Sequence, residues 1–332
     1  MSDNGRSPVG LAITSDTPPE DVSGIARLGE ELGFGEIWLP EDYFFSGGIS
    51  TATAPLAATQ YIPVGLGIVS ALVRHPGVLA MELATVSRMY PGRLRPGIGL
   101  GVPYWLRQMG LVPTSSLGAM RECVTSLRRL LAGEELTESG RQFFFENVKL
   151  THPTAETLPL YMGVVGPKML QLSGEIASGT VLGVTSSLEY VRWARGEIAA
   201  GAERAGHMDD HRVACYAIFA VDRDGRKARA AARSQVAFYC GVMGVTGYSD
   251  AYGVSDELGA MIAEHGVDGL HDVVPEQWVE DLSISGDPDE CVEKIRRYRA
   301  AGADAVVLWL PPGEGSEARM RLAAAEILPR VV

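Results

Sequence analysis

Two kinds of hydrophobic spacing alternate along the chain. Short continuous runs of Val, Ile, Leu and Ala give way repeatedly to longer segments in which apolar residues recur every three or four positions. The first pattern belongs to strands buried on both faces, as in a parallel sheet; the second belongs to helices with one buried side. The strand-like runs are PVGLAIT at 8–14, EIWLPED from Glu36, a run opening at Ile62, RLRPGIGLG at 93–101, LPLYMGVV at 158–165, GTVLGVT at 179–185, RVACYAIFAVD at 212–222 and AVVLWLP from Ala305. Helical spacing separates them. Ile25, Leu28 and Leu32 share one face, as do Leu79, Leu83, Val86 and Tyr90 after Pro76, and further helices are predicted over 115–131, 188–205 and 226–240.

These strands alternate mostly with helices and lack the period-2 polarity of a solvated sheet. That predicts an α/β fold, a closed parallel (β/α)8 TIM barrel, with a doubly wound open sheet as the structural alternative. Two stretches break the rhythm. ESGRQFFFENVKLT, near 138–151, reads as a hairpin set in a loop, and 241–285 reads as an irregular insertion over the site, with glycines and short helical pieces. The whole chain, 1–332, is expected to form a single domain.

Composition narrows the function classes. A net charge of −12 with no basic stripe argues against a nucleic-acid partner, because phosphate binding needs clustered Lys and Arg. No apolar run reaches the ~18 residues of a membrane span, and the start MSDNGRSPVG has neither a basic nor a long apolar leader segment. Cys123, Cys215, Cys240 and Cys291 form no CxxC pair. A cytoplasmic protein with reduced thiols, acting on a small-molecule substrate, is the expectation.

Several common motifs fail. Gly97-Ile98-Gly99-Leu100-Gly101 lacks the third glycine spacing of a dinucleotide fingerprint, and Walker A, HExxH and GxSxG are absent. His75, His152, His207, His211, His265 and His271 have no tight ligand spacing, so no metal is expected. What remains lies at strand carboxyl ends, where barrel active sites are built. Glu41 and Asp42 follow the second strand; a carboxylate pair supplies a proton donor and acceptor, or caps the next segment. Gly67-Ile68-Val69-Ser70 offers either close backbone approach or a plain bulge. Gly163-Val164-Val165-Gly166-Pro167-Lys168 is either an anion site at a helix start or an ordinary turn with a solvated lysine. Tyr43, Phe44, Tyr104 and Trp105 point to an aromatic substrate pocket, and His75 reads as a structural histidine ahead of a ligand contact.

The run GLGIVSALVRHPGVLAMELATVSRMYPGRLRPGIGLG, followed in order by LRRLLAGEELTESG, LPLYMGVVGPKMLQLSGEIASGTVLG and GDPDECVEKIRRYRAAGAD, resembles the bacterial luciferase-like superfamily. Within it the chain is most similar to the deazaflavin-dependent branch typified by methylenetetrahydromethanopterin reductase. The resemblance implies a (β/α)8 barrel, usually a homodimer, that binds coenzyme F420 or, alternatively, FMN at the strand carboxyl ends. It implies a non-prolyl cis peptide at Gly67–Ile68 behind the cofactor ring. Cofactor contacts are implied at Gly67, Ile68, Val69, Ser70, Gly99, Gly101 and Gly163 to Lys168. The family's acidic-His pair is Glu41-Asp42 here, with Glu41 the favoured proton carrier, and the acid after the fourth strand's glycines is Val102. The implied activity is hydride transfer between the deazaflavin C5 and a small organic substrate carrying a C=N, C=C or alcohol/carbonyl group. An FMN-dependent monooxygenase and a non-catalytic binding barrel are the alternatives.

Overall fold

The computed structural model describes residues 5–206 and 211–331, so His207 lies outside the described residues. Among the described residues eleven strands are numbered in chain order: β1 Val9–Ala12, β2 Ile37–Leu39, β3 Val64–Ser70, β4 Leu94–Gly99, β5 Leu136–Ser139, β6 Phe144–Val148, β7 Tyr161–Gly163, β8 Gly179–Leu182, β9 Arg212–Val221, β10 Ser283–Gly286 and β11 Ala305–Trp309. Eight of them close a parallel barrel in the order β1-β2-β3-β4-β7-β8-β9-β11, with β11 returning to β1. Each barrel strand lies in one of the eight apolar runs. The short β10 adds to the upper half of β9, where Ser283 pairs with Ile218 and Gly286 with Val221. The hairpin is present as the antiparallel pair β5–β6.

The barrel interior is layered from its amino end upward. At the base the buried Glu36 accepts from Trp38 Nε1 at 2.9 Å and Arg212 Nη1 at 2.8 Å, and pairs with Arg95. Burial alone pushes this carboxyl up, but Arg95 and Arg212 outweigh it and hold the group below its ordinary range. Above sits an aromatic layer. Trp38 meets Tyr161 and Tyr216 edge-on, at centroid distances of 5.4 and 6.2 Å, and Tyr216 meets Trp309 at 5.6 Å. Gly65 keeps β3 clear of the Trp38 ring, which a Cβ there would overlap. The barrel is therefore packed shut below its mouth.

The helix Pro76–Met89 shows how sequence signals fix the outer ring. Leu79, Leu83 and Val86 are buried against the sheet, as their spacing predicts. His75 caps this helix, its Nδ1 accepting from Gly77 N at 3.1 Å. That acceptor role puts the ring hydrogen on Nε2, which reaches the Phe144 carbonyl at 3.0 Å and ties the hairpin to the barrel. The ring also packs on Phe145 at 4.8 Å. His75 is structural, as read.

The insertion contains the expected helical pieces, but they are longer and more regular than its sequence suggests. Residues 241–285 are mostly helical, with helices Gly247–Tyr252, Ser255–Val273 and Glu276–Asp281 leading into β10. Leu258, Leu270, Trp278 and Val279 are buried in one cluster with Val236 and Cys240 of the preceding helix, Gly225–Met243. Left-handed glycines at Gly253 (φ 81°) and Gly266 (φ 69°) break the helices and hid the periodicity. All four cysteines are buried free thiols. Among the described residues no helix is long and apolar enough to cross a membrane.

Candidate active site

The carboxyl ends of β3, β4 and β7 meet around one side chain. In the β3–β4 register Leu66 faces Pro96 and Val69 faces Ile98, so Gly67 and Ile68 together oppose one residue. This is a β-bulge. The Gly67–Ile68 peptide is cis, as the resemblance implies; Tyr43–Phe44 is also cis, which nothing in the sequence indicated. Gly67 and Ile68 are half-buried, whereas Val64 to Leu66, Val69 and Ser70 are buried. A Cβ on Gly99 would lie 2.8 Å from Ile68 Cγ1 and Cδ1, one on Gly97 would lie 3.2 Å from Ile68 Cγ2, and one on Gly163 would overlap the same methyl. The glycines of β4 and β7 thus clear a shelf for the Ile68 side chain. Under the shelf, Tyr216 Oη donates to the Gly67 carbonyl at 3.4 Å.

Not every predicted contact reaches this surface. Val69 and Ser70 are fully buried, and Ser70 Oγ donates to Leu100 O at 2.7 Å while accepting from Leu72 N at 3.1 Å. Val164 is buried too, and Gly99 is covered by Ile68. Gly101, at φ 92°, turns the chain into a short helix, Pro103–Gln108, that the sequence reading did not predict. Its first turn carries Tyr104, exposed, and Trp105, half-buried. After β7, Gly166 begins the helix Pro167–Ile176 with no side-chain cap, and Pro167 and Lys168 are exposed. Pro167 has no N–H and Met169 N donates to Gly166 O at 3.1 Å, so the backbone N–H of Lys168, its side chain and the helix dipole are what this turn could offer an anion.

The two carboxylates, of which the resemblance favours Glu41 as proton carrier, are placed differently. Glu41 is buried and held by Arg74, whose Nη1 lies 2.9 and 3.1 Å from its two oxygens. Arg74 Nε in turn reaches Glu82 at 3.4 Å. Burial raises the Glu41 carboxyl above its usual range, with Arg74 pulling the other way. Asp42 is half-buried. Among the described residues the one hydrogen-bond partner of its carboxylate is Ser15, just beyond β1, Oγ to Oδ2 at 2.5 Å. Burial raises this carboxyl as well, Ser15 lowers it, and the nearby Asp16 raises it again.

The aromatic residues also separate. Tyr43 turns inward to a cluster with Leu72, Leu106 and Ala119, and meets Trp105 at 6.1 Å. Among the described residues its hydroxyl has no hydrogen-bond partner, and burial pushes the phenol up to about 12. Phe44 is 69% exposed and Tyr104 59%. Ser15, Arg74 and Tyr216 were not singled out as site residues. Ser15 alone had a readable signal, a hydroxyl directly after a predicted barrel strand. Among the described residues no group of three or more His, Cys, Asp or Glu is placed to hold a metal.

A closed parallel barrel with a bulged shelf, an uncapped helix start and a hydroxyl-bonded carboxylate at its carboxyl-end mouth defines a (β/α)8-barrel enzyme. The chain belongs to the luciferase-like monooxygenase family, whose sequence profile matches residues 6–305. It is 29% identical over 329 residues to the 5,10-methylenetetrahydromethanopterin reductase of Methanolobus tindarius, covering 96% of this chain and 99% of the relative. It is also 29% identical over 329 residues to the F420-dependent glucose-6-phosphate dehydrogenase of Nakamurella multipartita, covering 94% and 93%. The coenzyme F420-dependent tetrahydromethanopterin reductase structure from Methanopyrus kandleri superposes with a TM-score of 0.87 at 26% identity, covering 99% of this chain and 100% of that one.

Proposed function

We propose that this protein is a coenzyme F420-dependent oxidoreductase that transfers a hydride between the deazaflavin C5 and a small organic substrate. The observation that carries the reading is the half-buried Gly67–Ile68 shelf, set on Tyr216 and flanked by glycines, in a chain matched end to end by F420-dependent relatives. The residues present fit such a group. A flat apolar shelf suits one face of a conjugated ring, and the uncapped start of the helix Pro167–Ile176, with Lys168, suits an anionic tail. When bound, F420 supplies a two-electron hydride carrier.

The chain's own residues divide the remaining work. Gly67 and Ile68 back the ring, with Gly101 and the 163–168 turn at its edges. Asp42, in place of the favoured Glu41, takes or returns the substrate proton at its carboxylate, because Arg74 already holds both oxygens of Glu41. Phe44, Tyr104 and Trp105 form an aromatic wall on the substrate side, and Val102 puts no acid there. A C=N, C=C or alcohol/carbonyl group fits this mostly apolar surface. The 1–332 chain acts as one domain, in the cytoplasm, where its buried thiols stay reduced.

Titration with each cofactor tests the reading. F420 is expected to bind at micromolar concentration or below, with quenching of its fluorescence, and FMN at least tenfold more weakly. Tight FMN binding without F420 binding, together with oxygen consumption on reduced FMN, would establish the monooxygenase alternative instead.

A homodimer is part of the same proposal. Val78 and Met81 are exposed on one face of the helix Pro76–Met89, and the exposed Phe144 lies on the hairpin that His75 pins beside it. Such a patch favours burial against a second copy. Met81→Arg is expected to shift sedimentation from dimer to monomer. An unchanged dimer would place the interface elsewhere.

A further inference from the structure

A cavity of about 600 Å³ opens at the end of the barrel opposite the proposed active site. Leu94 and Arg95 at the start of β4, Leu158 and Pro159 just before β7, and the last turn of the helix Pro76–Met89 line it. Barrel enzymes place their chemistry at the other face, so this cavity is separate from the hydride-transfer site. Its volume lies within the range of small-molecule sites.

The wall combines cationic and apolar residues. Arg6 Nη2 donates to the Tyr61 carbonyl at 3.0 Å and Arg88 Nη1 to the Pro153 carbonyl at 3.1 Å. A neutral acceptor fixes each guanidinium without cancelling its charge. Neither arginine forms an ion pair with a carboxylate among the described residues, and each keeps further N–H donors for a ligand. His152 adds another donor, while Arg95 is met from the barrel side by Glu36. Glu156 is the one acid among the described lining residues. Met89, Pro91 and Leu158 are among its apolar lining residues. In a chain of net charge −12, held arginines beside an apolar wall select against cations and against purely polar solutes.

We propose that this cavity is a second ligand site, which takes a small amphipathic anion: a carboxylate or phosphate monoester joined to an apolar body. Arg6 and Arg88 grip the anionic head, because a guanidinium presents paired N–H groups that match carboxylate or phosphate oxygens. The apolar body lies on Met89, Pro91 and Leu158. The assignment stands independently of which cofactor the barrel mouth binds.

Calorimetric titration of the full-length protein tests it with three probes sharing one apolar body: 4-phenylbutyrate, 4-phenylbutyl phosphate and the uncharged 4-phenylbutan-1-ol. At least one anion is expected to bind once per chain with a dissociation constant at or below about 1 mM. The alcohol is expected to bind at least tenfold more weakly. Which of the two anions binds more tightly identifies the head group. Arg88→Ala should weaken the anion about tenfold or more, and Thr157→Glu, which adds a negative charge to an exposed wall position, should do the same without removing a contact. F420 titration should be unchanged in both variants. Equal binding of the alcohol, anion binding unaffected by both substitutions, displacement of the anion by F420, or no anion binding would each overturn the proposal. So would loss of self-association in Arg88→Ala when the parent binds no anion, since a second copy would then occupy the cavity.

Discussion

Replacing Asp42 with asparagine is expected to lower kcat/KM by about 10²–10⁴-fold, the usual contribution of a positioned acid or base. The F420 dissociation constant should stay within about twofold, because no part of the proposed ring shelf changes. Glu41→Gln should behave differently. It leaves Arg74 with Glu82 as its remaining partner and should change kcat/KM far less than Asp42→Asn does, because Glu41 is not the proton carrier. The pH dependence separates the roles further. Burial raises the Asp42 carboxyl in the folded protein, so activity that needs the ionised form falls on an acid limb above the ordinary aspartate range. Ser15→Ala removes the hydrogen bond that favours the anion and should move that limb to higher pH, while Ser15→Thr should restore it.

The sign for stability is fixed by the same shift. A carboxyl raised on folding binds its proton more tightly in the native state. Its contribution is fully present below the unfolded value and is lost as pH rises through the folded one. At neutral pH the ionised Asp42 therefore costs stability, and Asp42→Asn should be the more stable protein by about 0.5–2 kcal/mol. That advantage should shrink as pH falls toward ~4. An enzyme inactivated yet stabilised by one substitution is the signature of a functional carboxylate. A variant that keeps full turnover would return the proton to Glu41.

Sequence carried the barrel well because each of its strands lies in a mostly apolar run, a signal that tertiary contacts do not alter. It carried the insertion poorly, since Gly253 and Gly266 interrupt helices whose buried face is set by contact with Gly225–Met243. The site was legible as positions and not as directions. Spacing placed Glu41 and Asp42 side by side, but Arg74 and Ser15, distant in sequence, decide which one is free. Tyr43 read as a pocket aromatic because nothing local shows that Leu72 and Leu106 close over it. The glycines of β4 and β7 looked like openings for a cofactor. Much of their space belongs to Ile68, a residue of another strand.

That packing makes Gly67→Ala the substitution expected to damage the shelf most. A Cβ at position 67 would fall inside the Tyr216 hydroxyl, 2.9 Å from its Cζ and 3.2 Å from Trp38 Cε3. Neither ring can retreat. Tyr216 and Trp38 are both buried, Trp38 is also wedged against Tyr161, and Tyr216 rests on Trp309. Overpacking of this kind costs about 1–3 kcal/mol, and the backbone of the shelf is the softest element available to absorb it. F420 affinity should therefore fall by tenfold or more, with a smaller loss of thermal stability. Tyr216→Phe alone removes a long hydrogen bond and should weaken F420 only slightly. In the Gly67→Ala/Tyr216→Phe double variant the missing hydroxyl opens room for the new methyl, while the Cζ contact remains tight. Partial recovery is expected, with a coupling of about 0.5–3 kcal/mol between the two sites in a double-mutant cycle. If the two effects simply add, the ring under the bulge does not set its shape. If Gly67→Ala binds F420 like the parent, the cofactor does not lie on this shelf at all.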